Sequence, residues 1–222
     1  MDWNAFVLSL ELAGWTVALL LPIGVILARH LAWKRYAGKA FVEAALALPL
    51  VLPPTVLGYY LLVGLGRASP LGQLYEGVFG APLVFTFEGL LVASIIFNLP
   101  FAVQPMQRAF ETISTDIRDA AACCGMSSWR ILWRIELPLA WPGIMTAFVL
   151  TFAHTIGEFG VVLMVGGNIP GETRTAAIAI YDRVQAFDNT AAGAMSALLL
   201  VISLIAIGIA NLATTRAGRL RG

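Results

Sequence analysis

Five apolar stretches, near Phe6 to Leu31, Phe41 to Leu65, Gly89 to Met106, Trp141 to Val165 and Ala191 to Ala213, match the run of about 20 residues that an α-helix needs to cross a bilayer. This pattern constrains the fold more than anything else in the chain. Inside lipid every backbone polar group must find a partner within the structure, which leaves only helices and closed barrels. Composition agrees, since the 222 residues are 59% hydrophobic and only 12% charged, against about 25% charged in soluble domains. The expectation is an all-α, polytopic membrane helical bundle with five transmembrane helices, forming one domain over residues 1–222. A net charge of +1 offers no basic field for nucleic acid, so the bulk partner is membrane lipid. No internal repeat is visible, and five unequal spans do not divide into the inverted halves common in secondary carriers. The first stretch has no basic region before it and runs too long for a signal peptide, so it is expected to stay in the mature protein.

Basic residues orient the chain. Arg29, Lys34, Arg35 and Lys39 gather at the end of the first span, Arg108, Arg118, Arg130 and Arg134 after the third, and Arg216, Arg219 and Arg221 after the fifth. That puts eleven of fourteen Lys and Arg on one side, with Arg67, Arg174 and Arg183 on the other. Lys and Arg concentrate in cytoplasmic loops, which predicts the N-terminus outside and the C-terminus in the cytoplasm. Cys123 and Cys124, adjacent and on the cytoplasmic side, then read as small packing residues rather than a disulfide.

The stretch from Asp119 to Pro138, DAAACCGMSSWRILWRIELP, falls on that same side between two spans. Its punctuation predicts two short helices: Ser114 or Thr115 caps the first, Gly125 stops it, Ser127 caps the second and Pro138 closes it. Ala120, Ala121, Ala122, Cys123 and Cys124 carry little side-chain bulk, so a partner's backbone can approach closely. The order Asp119-Ala120-Ala121, three residues, Gly125, nine residues, then Ile135-x-Leu137-Pro138 resembles the EAA loop of ABC-importer permeases, with Asp119 where that family usually has Glu.

Two spans contain helix-breaking or polar groups. The second reads Leu48-Pro49-Leu50-Val51-Leu52-Pro53-Pro54-Thr55-Val56, and each proline removes a backbone donor. One reading is a broken helix facing a central pathway, where freed carbonyls are tolerated; the other is a kinked helix that merely packs. Asn98 and Pro100 make a similar case in the third span. Thr151, His154, Thr155 and Glu158 in the fourth are spaced to share about one helical face. They either line a cavity or hydrogen-bond between helices. A zinc site from His154 and Glu158 lacks a third protein ligand. The candidate translocation pathway is therefore Pro49, Pro53, Pro54, Thr55, Tyr59, Asn98, Thr151, Thr155 and Glu158.

The segments Leu48 to Val56, Thr155-Ile156-Gly157-Glu158-Phe159-Gly160 and Asn168-Ile169-Pro170-Gly171-Glu172-Thr173-Arg174-Thr175 together resemble the molybdate permease branch of the ABC importers, where (S/T)-(L/I)-G-E-F-G and N-I-P-G-E-T-R-T recur. Sulfate permeases share the G-E-F/Y-G element but usually diverge after Asn-x-Pro. The resemblance implies a type I ABC-importer permease fold in the bacterial inner membrane, with the Asp119 to Pro138 insert as the coupling loop. It implies a homodimer, two ATP-binding subunits on the cytoplasmic face and an external molybdate-binding protein. Asp119, Ala120, Ala121, Gly125, Ile135, Leu137 and Pro138 would couple the ATPases to transport by alternating access. Asn168, Pro170, Gly171, Glu172, Thr173 and Arg174 would form the external mouth, with Arg174 steering the anion or serving as a surface or docking charge. This chain is not expected to hydrolyse ATP, because G-x-x-x-x-G-K-[ST] is absent and no lysine follows Lys39. No catalytic or metal residue is expected, because the sequence offers neither a nucleophile with a base nor a metal cluster. ATP and Mg would be used by the partner ATPase, and this chain would bind no cofactor. The alternatives are a sulfate, tungstate or other oxyanion ABC permease, and a proton-coupled anion carrier working through Glu158 and His154. With no Lys or Arg in the core of the spans, the permease itself is expected to bind the oxyanion weakly.

Overall fold

The computed structural model describes the backbone of residues 1–219 and the side chains through Gly208. Arg216, Arg219 and Arg221 of the basic-residue count lie outside those described side chains. In chain order the helices are α1 (Trp3–Trp33), α2 (Lys39–Val51), α3 (Pro54–Leu65), α4 (Pro70–Phe79), α5 (Phe87–Glu111), α6 (Thr115–Cys123), α7 (Ser128–Ile131), α8 (Leu137–Gly157), α9 (Gly160–Gly166), α10 (Ala176–Gln185) and α11 (Asn189–Arg219). A π turn, Leu132–Glu136, joins α7 to α8 without a break.

Local chemistry sets many of these ends. Asp2 Oδ1 accepts from the Ala5 N–H at 3.2 Å to start α1, and Thr86 Oγ1 accepts from the Gly89 N–H at 3.2 Å to start α5. Such side-chain acceptors satisfy donors that the first helical turn leaves free. Long helices α1, α5 and α8 pack on one another around Leu20, Ala28, Leu31, Ala102, Met106, Phe110, Ala140, Ile144 and Ala147. Small residues let them approach: a Cβ on Gly143 would lie 2.3 Å from Ala109 Cβ and 2.7 Å from the Pro105 carbonyl oxygen. Close backbone approach at glycine is the usual device of helix packing in lipid, where no hydrophobic force draws helices together. Long α11 packs on α8 and α10 and leaves Leu200 and Leu204 about 60% exposed.

Among the described residues four helices are long and apolar enough to span a membrane, and the bent pair α2 and α3 makes a fifth crossing if the two are counted as one broken span. The expected single span from Phe41 to Leu65 is bent by 113° between Val51 and Pro54. Leu52, preceding a proline, is pushed to an extended ψ of 136°, and Pro53 adopts ψ 136° in turn. The fourth span also differs from its expected limits, Trp141 to Val165. The helix runs from Ser128 to Gly157 and then breaks, with α9 a separate piece. Pro138 does not close the second coupling helix as expected. It sits in the first turn of α8, immediately after the π turn, in which the Leu137 N–H bonds back to the Leu132 carbonyl. The π turn shifts the hydrogen-bond register just where proline has no donor to contribute, so the helix continues through it.

Candidate coupling loop and translocation path

Helix α6 is closed at both ends by its own sequence. Ser114 Oγ accepts from the Asp116 N–H at 3.2 Å. At the other end the Gly125 N–H bonds to the Ala122 carbonyl at 2.9 Å and the Met126 N–H to the Ala121 carbonyl at 3.1 Å. This is a Schellman cap, and Gly125 supplies the left-handed residue it requires, φ +77°. Only Ala121 is buried, while Asp119, Ala120, Ala122, Cys123, Cys124 and Gly125 are exposed, so the helix presents a face of small side chains. Ser127 Oγ caps α7 through the Arg130 N–H at 3.4 Å. Ile135, Leu137 and Pro138 are half-buried in the run from π turn to α8.

One residue of this loop is absent from the expected set. Glu136 is fully buried, and its carboxylate accepts from Arg29 Nε at 2.6 Å, Arg29 Nη2 at 3.1 Å and Arg118 Nε at 3.0 Å. Both guanidiniums also lie over the Trp33 ring, Arg118 at 3.6 Å and Arg29 at 5.5 Å from its centroid. A signal was present: a lone carboxylate between Ile135 and Leu137, at the foot of an apolar run, needs a charged partner.

The two interrupted segments meet. A Cβ on Gly160 would come 2.8 Å from Pro54 Cβ, and one on Gly58 would come 2.7 Å from Met164 Cβ, so α9 lies against α3 at glycine distance. Glu158 is not on the helical face shared by Thr151, His154 and Thr155. It follows α8, is buried, and accepts from the Val161 N–H at 2.8 Å, capping α9. The expected pathway residues divide between two settings. Pro53, Pro54, Thr55 and Tyr59 are on the exposed surface of the subunit, whereas Pro49, Asn98, Thr151 and Thr155 are buried. Asn98 donates from Nδ2 to the Ser94 carbonyl at 2.8 Å and lies 3.2 Å through Oδ1 from His154 Nδ1. Thr16 Oγ1 in turn donates to Ser94 Oγ at 2.9 Å, and His154 stacks 4.0 Å from Phe101. This network ties α1, α5 and α8 together, which is the interhelical role. Thr155 Oγ1 donates to the Thr151 carbonyl at 2.7 Å, and the Thr151 hydroxyl is buried without a partner. Among the described residues no three of His, Cys, Asp and Glu converge in a metal-binding group.

The segment Asn168 to Arg174 lies at the opposite end of the bundle from Glu136, beside the start of α1. Its turn is closed by the Thr173 N–H to the Ile169 carbonyl at 3.0 Å and the Ile169 N–H to Thr173 Oγ1 at 3.1 Å, with Gly171 at φ +81°. Pro170, Gly171 and Glu172 are exposed. Arg174 donates to Asn168 Oδ1 at 2.6 Å and sits 3.8 Å from Asp2 and 3.7 Å from Asp182. Asn168 Nδ2 donates to Asp182 Oδ2 at 2.8 Å. The cavity of about 180 Å³ there is lined by Asp2, Arg174, Asp182 and Arg183, whose charges cancel. Arg174 thus links α10 to α1 instead of standing free as an anion lure.

Residues 21–219 match the family described as binding-protein-dependent transport system inner membrane component. The chain is 47% identical over 206 residues to the molybdenum transport system permease protein ModB of Azotobacter vinelandii, covering 93% of this chain and 91% of that one. It is 36% identical over 223 residues to the protein of the same name from Escherichia coli K12, covering 98% and 97%. A probable sulfate transport system permease of Chlorella vulgaris is 30% identical over 208 residues, covering 94% and 78%. Among solved structures, a bacterial ABC transporter involved in alginate import superposes with a TM-score of 0.78 at 19% identity, over 96% of this chain and 78% of that one.

Proposed function

The chain belongs to the binding-protein-dependent transport system inner membrane components, and from that premise we propose that it is the membrane-spanning permease subunit of an ATP-driven molybdate importer. The observation that carries this reading is its likeness to two molybdenum transport permeases along more than nine-tenths of its length. Two copies pair in the membrane. Two ATP-binding subunits dock on the exposed small-residue face of α6, from Asp119 to Gly125, and an external molybdate-binding protein meets the end that carries Asn168 to Arg174. The N-terminus is then outside and the C-terminus in the cytoplasm, in keeping with the basic residues clustered at the α6 end. ATP and Mg are used by the partner; this chain holds no cofactor and carries out no hydrolysis.

Closure of the ATPases on ATP moves the two α6 helices, the bundle opens outward, and release of ADP returns it inward. The break between α2 and α3, packed on α9, supplies the irregular backbone from which such a path is built, and unwound segments of this kind are stable only where protein or water covers them. The experiment is reconstitution in proteoliposomes with the ATPase and the binding protein. Labelled molybdate should accumulate only when both partners and ATP-Mg are present. Uptake driven by a proton gradient without ATP would overturn the reading in favour of a carrier working through His154 and Glu158. Likeness to a sulfate permease favours sulfate as the second substrate reading, and competition between the two oxyanions in the same vesicles separates them.

A further inference from the structure

We propose that Glu136 is the joint through which movement of α6 reaches the membrane helices, with Arg118 and Arg29 as its positioning residues; the inference rests on the permease reading above. Helix α6 has little apolar grip on the bundle. It packs on α7 and buries only Ala121. Its firm attachment is Arg118, three-quarters buried, stacked over Trp33 and bonded through Nε to Glu136 Oε1. Glu136 passes that attachment on. Its second oxygen holds Arg29 Nε, and Arg29 Nη2 reaches both Oε1 and Ser128 Oγ, the latter at 3.2 Å. One carboxylate therefore ties α6, the end of α1, the start of α7 and the foot of α8 at a single point.

Two properties suit this point to carry motion. Guanidinium to carboxylate bonds are directional and charge-assisted, so they resist sliding better than apolar contact does. A fully buried carboxylate cannot be left without a cation, so the contact holds or exchanges partners rather than loosening by degrees. Glu136 also ends the π turn, a helix irregularity often found at functional positions. Because two arginines share one carboxylate, removing either leaves Glu136 paired, and single variants test transmission without stranding a buried charge.

The test uses the reconstituted complex and reads molybdate moved per ATP hydrolysed. Arg118→Gln should lower that ratio about fivefold or more, the scale of modest coupling between sites, with the amount of assembled complex unchanged. Arg118→Lys should recover it only in part, since an ammonium pairs with a carboxylate but lacks the planar fork that also stacks on Trp33. Arg29→Gln should cause a smaller fall, because α6 keeps its link to α8. Arg108→Gln, which breaks an exposed pair within α5, should match the parent. In parallel, a spin label on the exposed Cys123, with Cys124 replaced by Ser, should become more mobile in Arg118→Gln than in Arg108→Gln. A parent ratio in Arg118→Gln, or a loss of assembled complex with the ratio intact, or unchanged label mobility, would overturn the inference. Failure of the parent complex to move molybdate would count against the permease reading alone, because the label still reports on the joint.

Discussion

At the scale of single residues, two glycines matter for opposite reasons. Gly125 has no atom within 4 Å of where a Cβ would stand, yet its φ of +77° is one that L residues adopt at a cost of about 1–2 kcal/mol. Within the subunit its requirement is conformational, since no side chain or backbone crowds it. Gly125→Val should therefore leave insertion unchanged while distorting the cap of α6, and uptake in vesicles should fall several-fold; normal uptake with a normal complex would give the loop another role. Gly143 has ordinary helical geometry and no room. Even Ala would need α5 and α8 to separate, and overpacking of this kind costs about 1–3 kcal/mol. Gly143→Val should lower the melting temperature of the purified subunit, whereas Gly64→Ala, with nothing within 4 Å, should not.

At the scale of elements, the prolines suggested a break in the second span, but the break in the fourth, expected as one span from Trp141 to Val165, and the packing of the two breaks on each other were not foreseen. Pro53 and Pro54 follow the end of α2, and Glu158 and Phe159 separate α8 from α9; the second break packs on the first because Gly160, the first residue of α9, has no side chain to hold Pro54 away. Glu158 caps α9 from within that contact. Glu158→Ala removes the acceptor of the Val161 N–H and should cost about 1 kcal/mol, the usual value for a lost cap. Glu158→Gln keeps an acceptor and should cost less. Thermal unfolding of the two purified variants checks the order. Pro53→Ala restores a donor at the bend and should favour a straighter α2 to α3 path, lowering uptake more than it lowers the amount of inserted protein.

For the whole molecule, orientation and affinity are the testable quantities. With native Cys123 and Cys124 replaced by Ala, single cysteines near Lys34 and Arg118 should label from the cytoplasm only, and one near Arg174 from outside. Labelling of the Arg118 site from outside would reverse the proposed topology and remove the docking surface from the ATPase side. Arg174 is held by Asn168, Asp2 and Asp182, and Arg29 and Arg118 at the other end share Glu136. No Lys or Arg lies within the core of the spans, where a dianion would have to be held. Calorimetry on the permease alone should show no molybdate binding tighter than about millimolar, roughly 4 kcal/mol, with affinity residing in the external binding protein.

Features that depend on a few neighbouring residues were legible from the sequence. The apolar runs specify helices that lipid will accept, and Ser114, Gly125 and Ser127 mark helix ends because capping acts over two to five positions. The resemblance in LPLVLPPTV, GEFG and NIPGETRT pointed to the family. Tertiary structure decided what lies far apart in the chain. Arg29 meets Glu136 across 107 positions, His154 meets Asn98 across 56, and the second span bends by 113°. Hydropathy marks a helix as membrane-spanning but does not say which face meets which neighbour, so it could not separate the exposed Thr55 and Tyr59 from the buried Asn98 and Thr151. Nor could a proline rule foresee Pro138 inside a continuing helix. There the packing of α8 against α1 and α5, with Glu136 held by two arginines, favours a π turn over the stop that local propensity alone would choose.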